Sequence, residues 1–188
     1  MKAIQKMLTG AMLALVAATA FADAYDTALK NFHDAGQSAG FFSNSYAYAL
    51  FPTVGKAGLV VGGAFGDGKV YVGGKYVGDA TLTKLSVGFQ AGGQAYSQII
   101  FFQNKQAFDK FADHEFEFSA GASAVLITAG ATAEAGTTGA SASASVTKKD
   151  ATTTGKYENG MVVFNIVKGG AMYEASLGGQ HYKYKPLK

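Results

Sequence analysis

The chain has 188 residues, of which 48% are hydrophobic, and its formal net charge of +3 comes from 16 lysines against 13 acidic residues, with no arginine. Arginine is the usual residue for bidentate phosphate contacts and for reading guanine, so this composition argues against nucleic-acid binding. The absence of cysteine excludes disulfides, thiol nucleophiles and thiolate metal sites.

The first residues have the features of a secretory signal peptide. Lys2 and Lys6 precede an apolar run from Met7 to Ala18, and Ala20-Phe21-Ala22 supplies the small residues of a cleavage site. The apolar run is too short to span a bilayer as a helix. We therefore expect a free periplasmic or secreted protein, with a signal peptide over 1–22 and a single mature domain over 23–188. Without the two signal-peptide lysines the net charge is about +1.

Residues 23–50 predict helix in one or two pieces. Tyr25 and Phe32 belong to an apolar face at approximately helical spacing, and Gly36 and Gly40 are expected to interrupt the run. Phe41 and Phe42 lie in the second part of this segment. Two interpretations are open for its aromatic residues: they cover the sheet as ordinary core, or they form an amphipathic segment that dips into a membrane surface.

The stretch from Phe51 to Tyr76 predicts a glycine-rich β-hairpin. Asp67-Gly68 stands between two apolar runs, and both residues tolerate the positive φ that a two-residue turn requires. A turn at this position would pair Gly62 with Gly73 and leave a gap without side chains on one side of the hairpin. We expect the N-terminal helix, in preference to a ligand, to fill this gap.

The remaining elements are short strands and one surface helix. They are a half-buried strand over Thr81–Phe89, a strand covered on both faces over Gln94–Phe102, a helix over Asn104–Asp113 with Asn104 as its cap, and strands over Met161–Val167 and Ala171–Tyr184. The tract from Ser119 to Val146 is almost entirely Ala, Gly, Ser and Thr; it suits two strands or a closely packed helix, and we favour two strands. The fold class is α+β: an antiparallel, barrel-like sheet packed with one or more N-terminal helices and one short surface helix.

No pattern of catalytic residues is present. The three histidines His33, His114 and His181 are far apart, and the chain has no nucleophile elbow, zinc-protease helix or phosphate-binding loop. The glycines between Gly62 and Gly68 do not follow dinucleotide-binding spacing, and they lead into a strand where a helix is needed. We expect a protein that is not an enzyme, without a metal or cofactor.

Several motifs, in their order along the chain, together resemble the SYLF domain. They are Tyr46-Ala-Tyr-Ala-Leu-Phe51-Pro52 followed by Val54-Gly-Lys56-Ala-Gly58, the glycine-rich segment Gly62–Val70, the segment Leu85–Gln94, and the closing segments Gly160–Phe164 and Leu177–Gly179. The similarity runs from about Ala28 to Tyr184. It implies lipid binding, which eukaryotic members direct at phosphoinositide membranes; some of them also bind actin, and exported bacterial members are presumed to bind lipid. Only the general affinity for lipid is expected to apply to an exported chain.

The leading hypothesis is an exported phospholipid-binding protein that associates peripherally with membranes. Aromatic side chains would meet acyl chains and lysines would meet phosphate. The candidate lipid-binding residues are Phe41, Phe42, Tyr46, Tyr48, Lys56, Lys75 and Lys84. Two alternatives remain open: an integral outer-membrane β-barrel of eight strands, and a structural or adhesive envelope protein built on the Ala/Ser/Gly tract.

Overall fold

The computed structural model describes residues 23–58, 61–87, 92–113, 116–118, 124–127, 155–170 and 179–188. The predicted signal peptide and nearly all of the Ala/Ser/Gly tract lie outside these residues. Within the ranges given, no helix combines the length and the hydropathy that a membrane span requires.

The described residues contain three helices and eight strands. The helices are α1 (23–34), α2 (Phe41–Asn44) and α3 (Lys105–Ala112). The strands are β1 (Ala47–Gly58), β2 (Val61–Val72), β3 (Lys75–Val87), β4 (Gly92–Phe102), β5 (Phe116–Glu117), β6 (Val125–Ile127), β7 (Met161–Gly170) and β8 (Gln180–Pro186). They form one sheet in the order β5-β8-β3-β2-β1-β4-β7-β6. Neighbouring strands are antiparallel except β6 and β7, which are parallel.

The sheet is strongly curled, which confirms the predicted α+β fold with a barrel-like antiparallel sheet. Three strands separate β8 from β4, so in a flat sheet the two would lie about 19 Å apart at a spacing of about 4.8 Å per strand. Instead, the Tyr182 hydroxyl on β8 donates to Gln98 Oε1 on β4 at 2.7 Å. We call the face on which these side chains meet the inner face.

Each face of the sheet has its own buried core. The inner core includes Phe51, Leu82, Ile100, Phe102 and Tyr182, and α3 packs onto it through Ala107 and Phe111. The outer core includes Leu50, Ile99, Phe101, Val162 and Phe164, and it is covered by α1 through Ala28 and Phe32 and by α2 through Phe41 and Phe42. The N-terminal helical segment therefore covers the sheet, as the sequence predicts.

Local sequence patterns account for several elements. The apolar run Ile99–Phe102 is fully buried because alternate residues enter the outer and inner cores, which confirms a strand covered on both faces. The Asn104 side chain accepts a hydrogen bond from the backbone N–H of Ala107 at 2.9 Å and so caps α3 as predicted.

The predicted turn at Asp67-Gly68 is wrong. Both residues lie inside β2, and the turn between β2 and β3 is at Gly73-Gly74, where φ is +55° and +76°. Gly68 has a packing role instead, since a Cβ at this position would lie 2.5 Å from Cδ1 of Phe51. Gly62 consequently pairs with Gly58 and Ser86, and not with Gly73.

The predicted helix over 23–50 extends too far. The chain turns at 36–40, α2 ends at Asn44, and Ala47 begins β1. Ala47 and Ala49 enter the inner core while Tyr48 and Leu50 face the outer core, so this segment follows the two-residue period of a strand.

Candidate functional site

The structure separates the seven predicted lipid-binding residues into three locations. Phe41, Phe42 and Tyr48 lie with the outer core. The Phe41 ring packs against Phe164 with centroids 5.2 Å apart, and the Phe42 ring packs edge-on against Phe101 at 4.9 Å. These contacts match the interpretation of both phenylalanines as core residues. Both rings are partly buried in these contacts.

Tyr48 connects this core to a row of tyrosines on the outer face. Its ring stacks on Tyr71 of β2 with centroids 4.8 Å apart and touches Phe42 at 5.4 Å. Burial, and to a lesser extent the charge of an ionised Tyr71, raises the pKa of Tyr48 to about 12. The phenol therefore stays neutral under physiological conditions.

Tyr46 and Lys75 lie at the second location, beside the turn between β2 and β3. The backbone N–H of Gly73 donates to the carbonyl of Tyr46 at 3.2 Å, and the backbone N–H of Leu187 donates to the carbonyl of Val77 at 2.9 Å. These bonds bring the end of the chain to the same turn.

Large apolar side chains are exposed at this turn. Of the four such side chains in the described part of the chain, three lie here, with exposures of 36% for Tyr46, 37% for Tyr76 and 54% for Leu187. Lys75 and Lys188 are also exposed. We call these five residues the turn-end surface.

Lys84 and Lys56 define the third location, toward the opposite ends of the same strands. Lys84 is buried on the inner face, and its backbone is in register with Ala64 and Gln180. Lys56 is in register with the same Ala64 and with Gln94. The two lysines thus occupy one register row two strands apart, about 10 Å at the usual strand spacing. Neither adjoins Lys75.

Sequence reasoning missed a polar cluster on the inner face. It consists of five buried residues from three strands: Tyr96, Gln98, Asn165, Gln180 and Tyr182. Gln98 Nε2 donates to Asn165 Oδ1 at 3.0 Å, and Gln180 Nε2 donates to the Tyr96 hydroxyl at 3.0 Å. Alternation could place each residue on a buried face, but the contact between β4 and β8 depends on the curl of the sheet. We call this group the inner polar cluster.

Tyr182 is the central donor of this cluster. Its hydroxyl oxygen lies 2.7 Å from Gln98 Oε1 and 2.6 Å from Gln180 Oε1, so its one proton is shared between two acceptors. Burial raises the pKa of Tyr182 well above its usual value. The phenol therefore remains a neutral donor.

A second missed feature is a group of tyrosines around Lys69 on the outer face. Lys69 Nζ lies 4.4 Å from the ring centroid of Tyr25 and 5.5 Å from that of Tyr76. The Tyr71 ring adjoins Tyr76 with centroids 5.9 Å apart. We call Tyr25, Tyr71 and Tyr76 the tyrosine cage. Tyr25 comes from α1, whose position on the sheet could not be read from local sequence.

Carboxylates act on the tyrosines of the cage. The Tyr76 hydroxyl donates to Asp79 Oδ1 at 2.6 Å, and this hydrogen bond is the main reason that the pKa of Tyr76 is raised to about 12. The Tyr25 hydroxyl donates to the carbonyl of Asp67 at 3.2 Å. Burial, followed by the charges of Asp67 and Asp79, raises the pKa of Tyr25. The cage is therefore a neutral aromatic surface in a negative electrostatic environment.

The chain matches the model of a known protein family. No curated protein matches the chain. The family model described as "Ysc84: Las17-binding protein actin regulator" matches residues 83–183, which is more than half of the chain. The matched span contains β4, α3, β7 and the whole inner polar cluster. The chain therefore belongs to the Ysc84 family, the family of the SYLF domain that its sequence motifs resemble.

Proposed function

We propose that this protein is an exported, non-enzymatic, lipid-binding protein that associates peripherally with membrane phospholipid through its turn-end surface. The observation that carries the proposal is the exposure of Tyr46, Tyr76 and Leu187 near the turn between β2 and β3, where Lys75 and Lys188 are also exposed. The resemblance to the SYLF domain independently implies an affinity for lipid.

The chemistry of the turn-end surface suits the boundary between water and lipid. Tyrosine rings favour the headgroup level of a bilayer, where the apolar ring and the hydroxyl both find a suitable environment. Each lysine near an anionic membrane adds about 1 kcal/mol of attraction, so Lys75 and Lys188 together give only about 2 kcal/mol. Stable association therefore also requires burial of apolar side chains, and Leu187 is the most exposed of those at this surface.

Most of this surface is held by regular structure. Tyr46 immediately precedes β1, and Lys75 and Tyr76 begin β3. Tyr46 also contacts Phe108 of α3, with ring centroids 6.1 Å apart. The surface can meet a membrane without any rearrangement of the sheet, which lowers the entropic cost of association.

The description of the Ysc84 family names actin regulation and Las17 binding. An exported chain does not meet cytoplasmic actin, so we propose that lipid affinity is the property this chain uses. Export itself is tested by expressing the full chain and measuring the mass of the released protein. Cleavage after Ala22 is expected, and release of an uncleaved chain would contradict it.

Co-sedimentation with vesicles tests the lipid affinity. The mature chain over 23–188 is expected to sediment with anionic vesicles at low salt and less so at high salt, because exposed charges are screened. The double variant Leu187→Ser, Lys75→Gln is expected to weaken binding about tenfold or more. Phe65→Ser is the matched control, because Phe65 is 55% exposed but lies in β2 away from the turn. If the mature chain bound neither anionic nor zwitterionic vesicles at low salt, the proposal would be overturned.

A further inference from the structure

We propose that the tyrosine cage is a binding site for an alkylammonium group, and that Lys69 occupies this site with its own ammonium when no ligand is bound. The source of the ammonium group that we infer is the headgroup of a zwitterionic phospholipid. This inference rests on the proposed function, which it deepens by naming the class of lipid.

The position of Lys69 is the first argument, because it places an ammonium group at the cage. Its Nζ lies 4.4 Å from the Tyr25 ring centroid and 5.5 Å from the Tyr76 ring centroid. Both distances fall within the range of cation–π attraction. Tyr71, 5.9 Å from Tyr76, extends the aromatic surface on β2. The same rings can hold the ammonium group of another molecule.

The charges around the cage favour a cation over an anion. The Asp79 carboxylate is hydrogen-bonded to the Tyr76 hydroxyl at 2.6 Å. The charges of Asp67 and Asp79 both act on Tyr25, and the charge of Asp26 acts on Tyr71. An anionic ligand would meet these carboxylates, whereas an ammonium group is attracted by both the rings and the carboxylates.

Exchange of Lys69 for an external ammonium group is feasible. Asp67, Asp79 and Tyr76 are exposed and Lys69 is only half-buried, so the cage is open to solvent. The lysine stem is long and flexible, and a cation–π contact at an exposed site is weak. A zwitterionic headgroup carries a phosphate close to its ammonium group. Lys69, once displaced, can pair with that phosphate, so the exchange preserves an electrostatic partner for both cations.

The cage also adjoins the proposed membrane contact. Tyr76 belongs to both the turn-end surface and the tyrosine cage, and it is 37% exposed. When the turn-end surface meets a bilayer, the cage therefore lies at the level of the headgroups. This placement favours a lipid headgroup over a free metabolite as the source of the ammonium group.

Choline is the soluble probe for the cage. In Lys69→Met the internal ammonium is removed while the apolar stem is kept, so choline is expected to bind several-fold more tightly than to the wild-type chain. Binding is followed by NMR through the ring resonances of the tyrosines, and the shifts should be confined to the cage and its ring neighbours. The neutral carbon analogue 3,3-dimethylbutanol should produce no such shifts. Equal shifts with choline and its neutral analogue, or no saturable shift with choline, would overturn the proposed site.

A second variant tests the cage and the lipid source. Tyr25→Leu removes one cage ring without changing the turn-end surface, and thermal unfolding verifies that it folds; if it does not, Lys69→Met carries the comparison. Tyr25→Leu is expected to weaken binding to phosphatidylcholine vesicles several-fold and to leave binding to phosphatidylglycerol vesicles unchanged. Equal weakening for both vesicles, or tighter binding of free phosphocholine than of vesicles, would overturn the lipid source. The choline titration needs no membrane, so it remains informative even if the proposed function fails.

Discussion

The two faces of the curled sheet are stabilised in different ways. The inner face combines aromatic packing with the inner polar cluster, whose amides and phenols are sealed from solvent and join β4 to β8. On the outer face, a row of aromatic rings in contact with one another runs from the core toward solvent; we call it the outer aromatic row. Its members, in order, are Phe101, Phe42, Tyr48, Tyr71 and Tyr76. The inner face thus joins two strands that are not neighbours in the sheet, while the outer aromatic row leads from the core to the solvent.

The largest expected effect is on the outer core. Phe101→Ala removes a fully buried ring that touches Phe41, Phe42 and Phe164, and it should lower the free energy of unfolding by about 3–5 kcal/mol. Phe65→Ala removes a ring that is 55% exposed and should cost less than about 0.5 kcal/mol. Chemical denaturation measures both. Equal losses would mean that the aromatic row does not stabilise the outer face.

The second-largest loss of stability is expected from changes in the inner polar cluster. Gln98→Leu leaves the Tyr182 proton with Gln180 Oε1 alone and removes the donor to Asn165 Oδ1, so a loss of about 1–3 kcal/mol is expected. The triple variant Gln98→Leu, Gln180→Leu, Tyr182→Phe should recover the part of the loss that comes from Tyr182, because it removes this hydroxyl together with both of its acceptors. If it recovers stability but loses the curl, as measured by small-angle scattering, the cluster specifies shape more than it stabilises the fold.

A smaller effect is expected from alanine substitution of one glycine on each face of the sheet. A Cβ at Gly68, on the inner face, would lie 2.5 Å from the Phe51 ring and 2.9 Å from the Leu50 carbonyl oxygen. Gly68→Ala should therefore cost about 1–2 kcal/mol through overpacking. A Cβ at Gly55 would meet nothing within 4 Å, so Gly55→Ala should change stability by less than about 0.5 kcal/mol. A neutral Gly68→Ala would contradict the packing role assigned to this glycine.

The smallest expected effect is that of alkaline pH on the tyrosines of the outer aromatic row. An unfolded tyrosine ionises near pH 10, whereas Tyr48 and Tyr76 in the folded protein have pKa values of about 12. Between these values the folded protein keeps protons that the unfolded chain has released, so the free energy of unfolding falls as the pH rises. Tyr48→Phe should reduce this fall in urea titrations between pH 9 and about pH 12. An unchanged slope would mean that burial of Tyr48 does not affect its ionisation.

Local patterns in the sequence predict much of the sheet but not its curl. Alternation assigns the residues of β4 to two faces, and the Asn104 cap marks the start of α3. Asp67-Gly68 and Gly73-Gly74 carry similar local signals, so the local sequence alone does not choose between the two turns. Inside β2, Gly68 packs against Phe51, a contact between residues distant in the sequence that local signals do not reveal.

The sequence predicts the candidate site less well than the fold, because the site depends on contacts between residues that are distant in the sequence. The sequence identifies tyrosines and lysines, but Tyr182 and Gln98 meet across 84 positions of the chain. Tyr25 meets the carbonyl of Asp67 across 42. Periodicity assigns a residue to a face, whereas the curl and the docking of α1 determine which residues on that face are neighbours. The sequence therefore pairs Lys84 with Lys75 as headgroup partners, whereas the fold separates them along β3.

The shared proton of Tyr182 provides a spectroscopic reporter for the shape of the sheet. The residue is 1% exposed, and its hydroxyl is held between amide oxygens on β4 and on its own strand. A hydroxyl proton in such a position exchanges slowly with water and gives an observable NMR resonance. Its chemical shift depends on the distance to Gln98, so one signal would register any separation of β8 from β4 when the protein meets a vesicle.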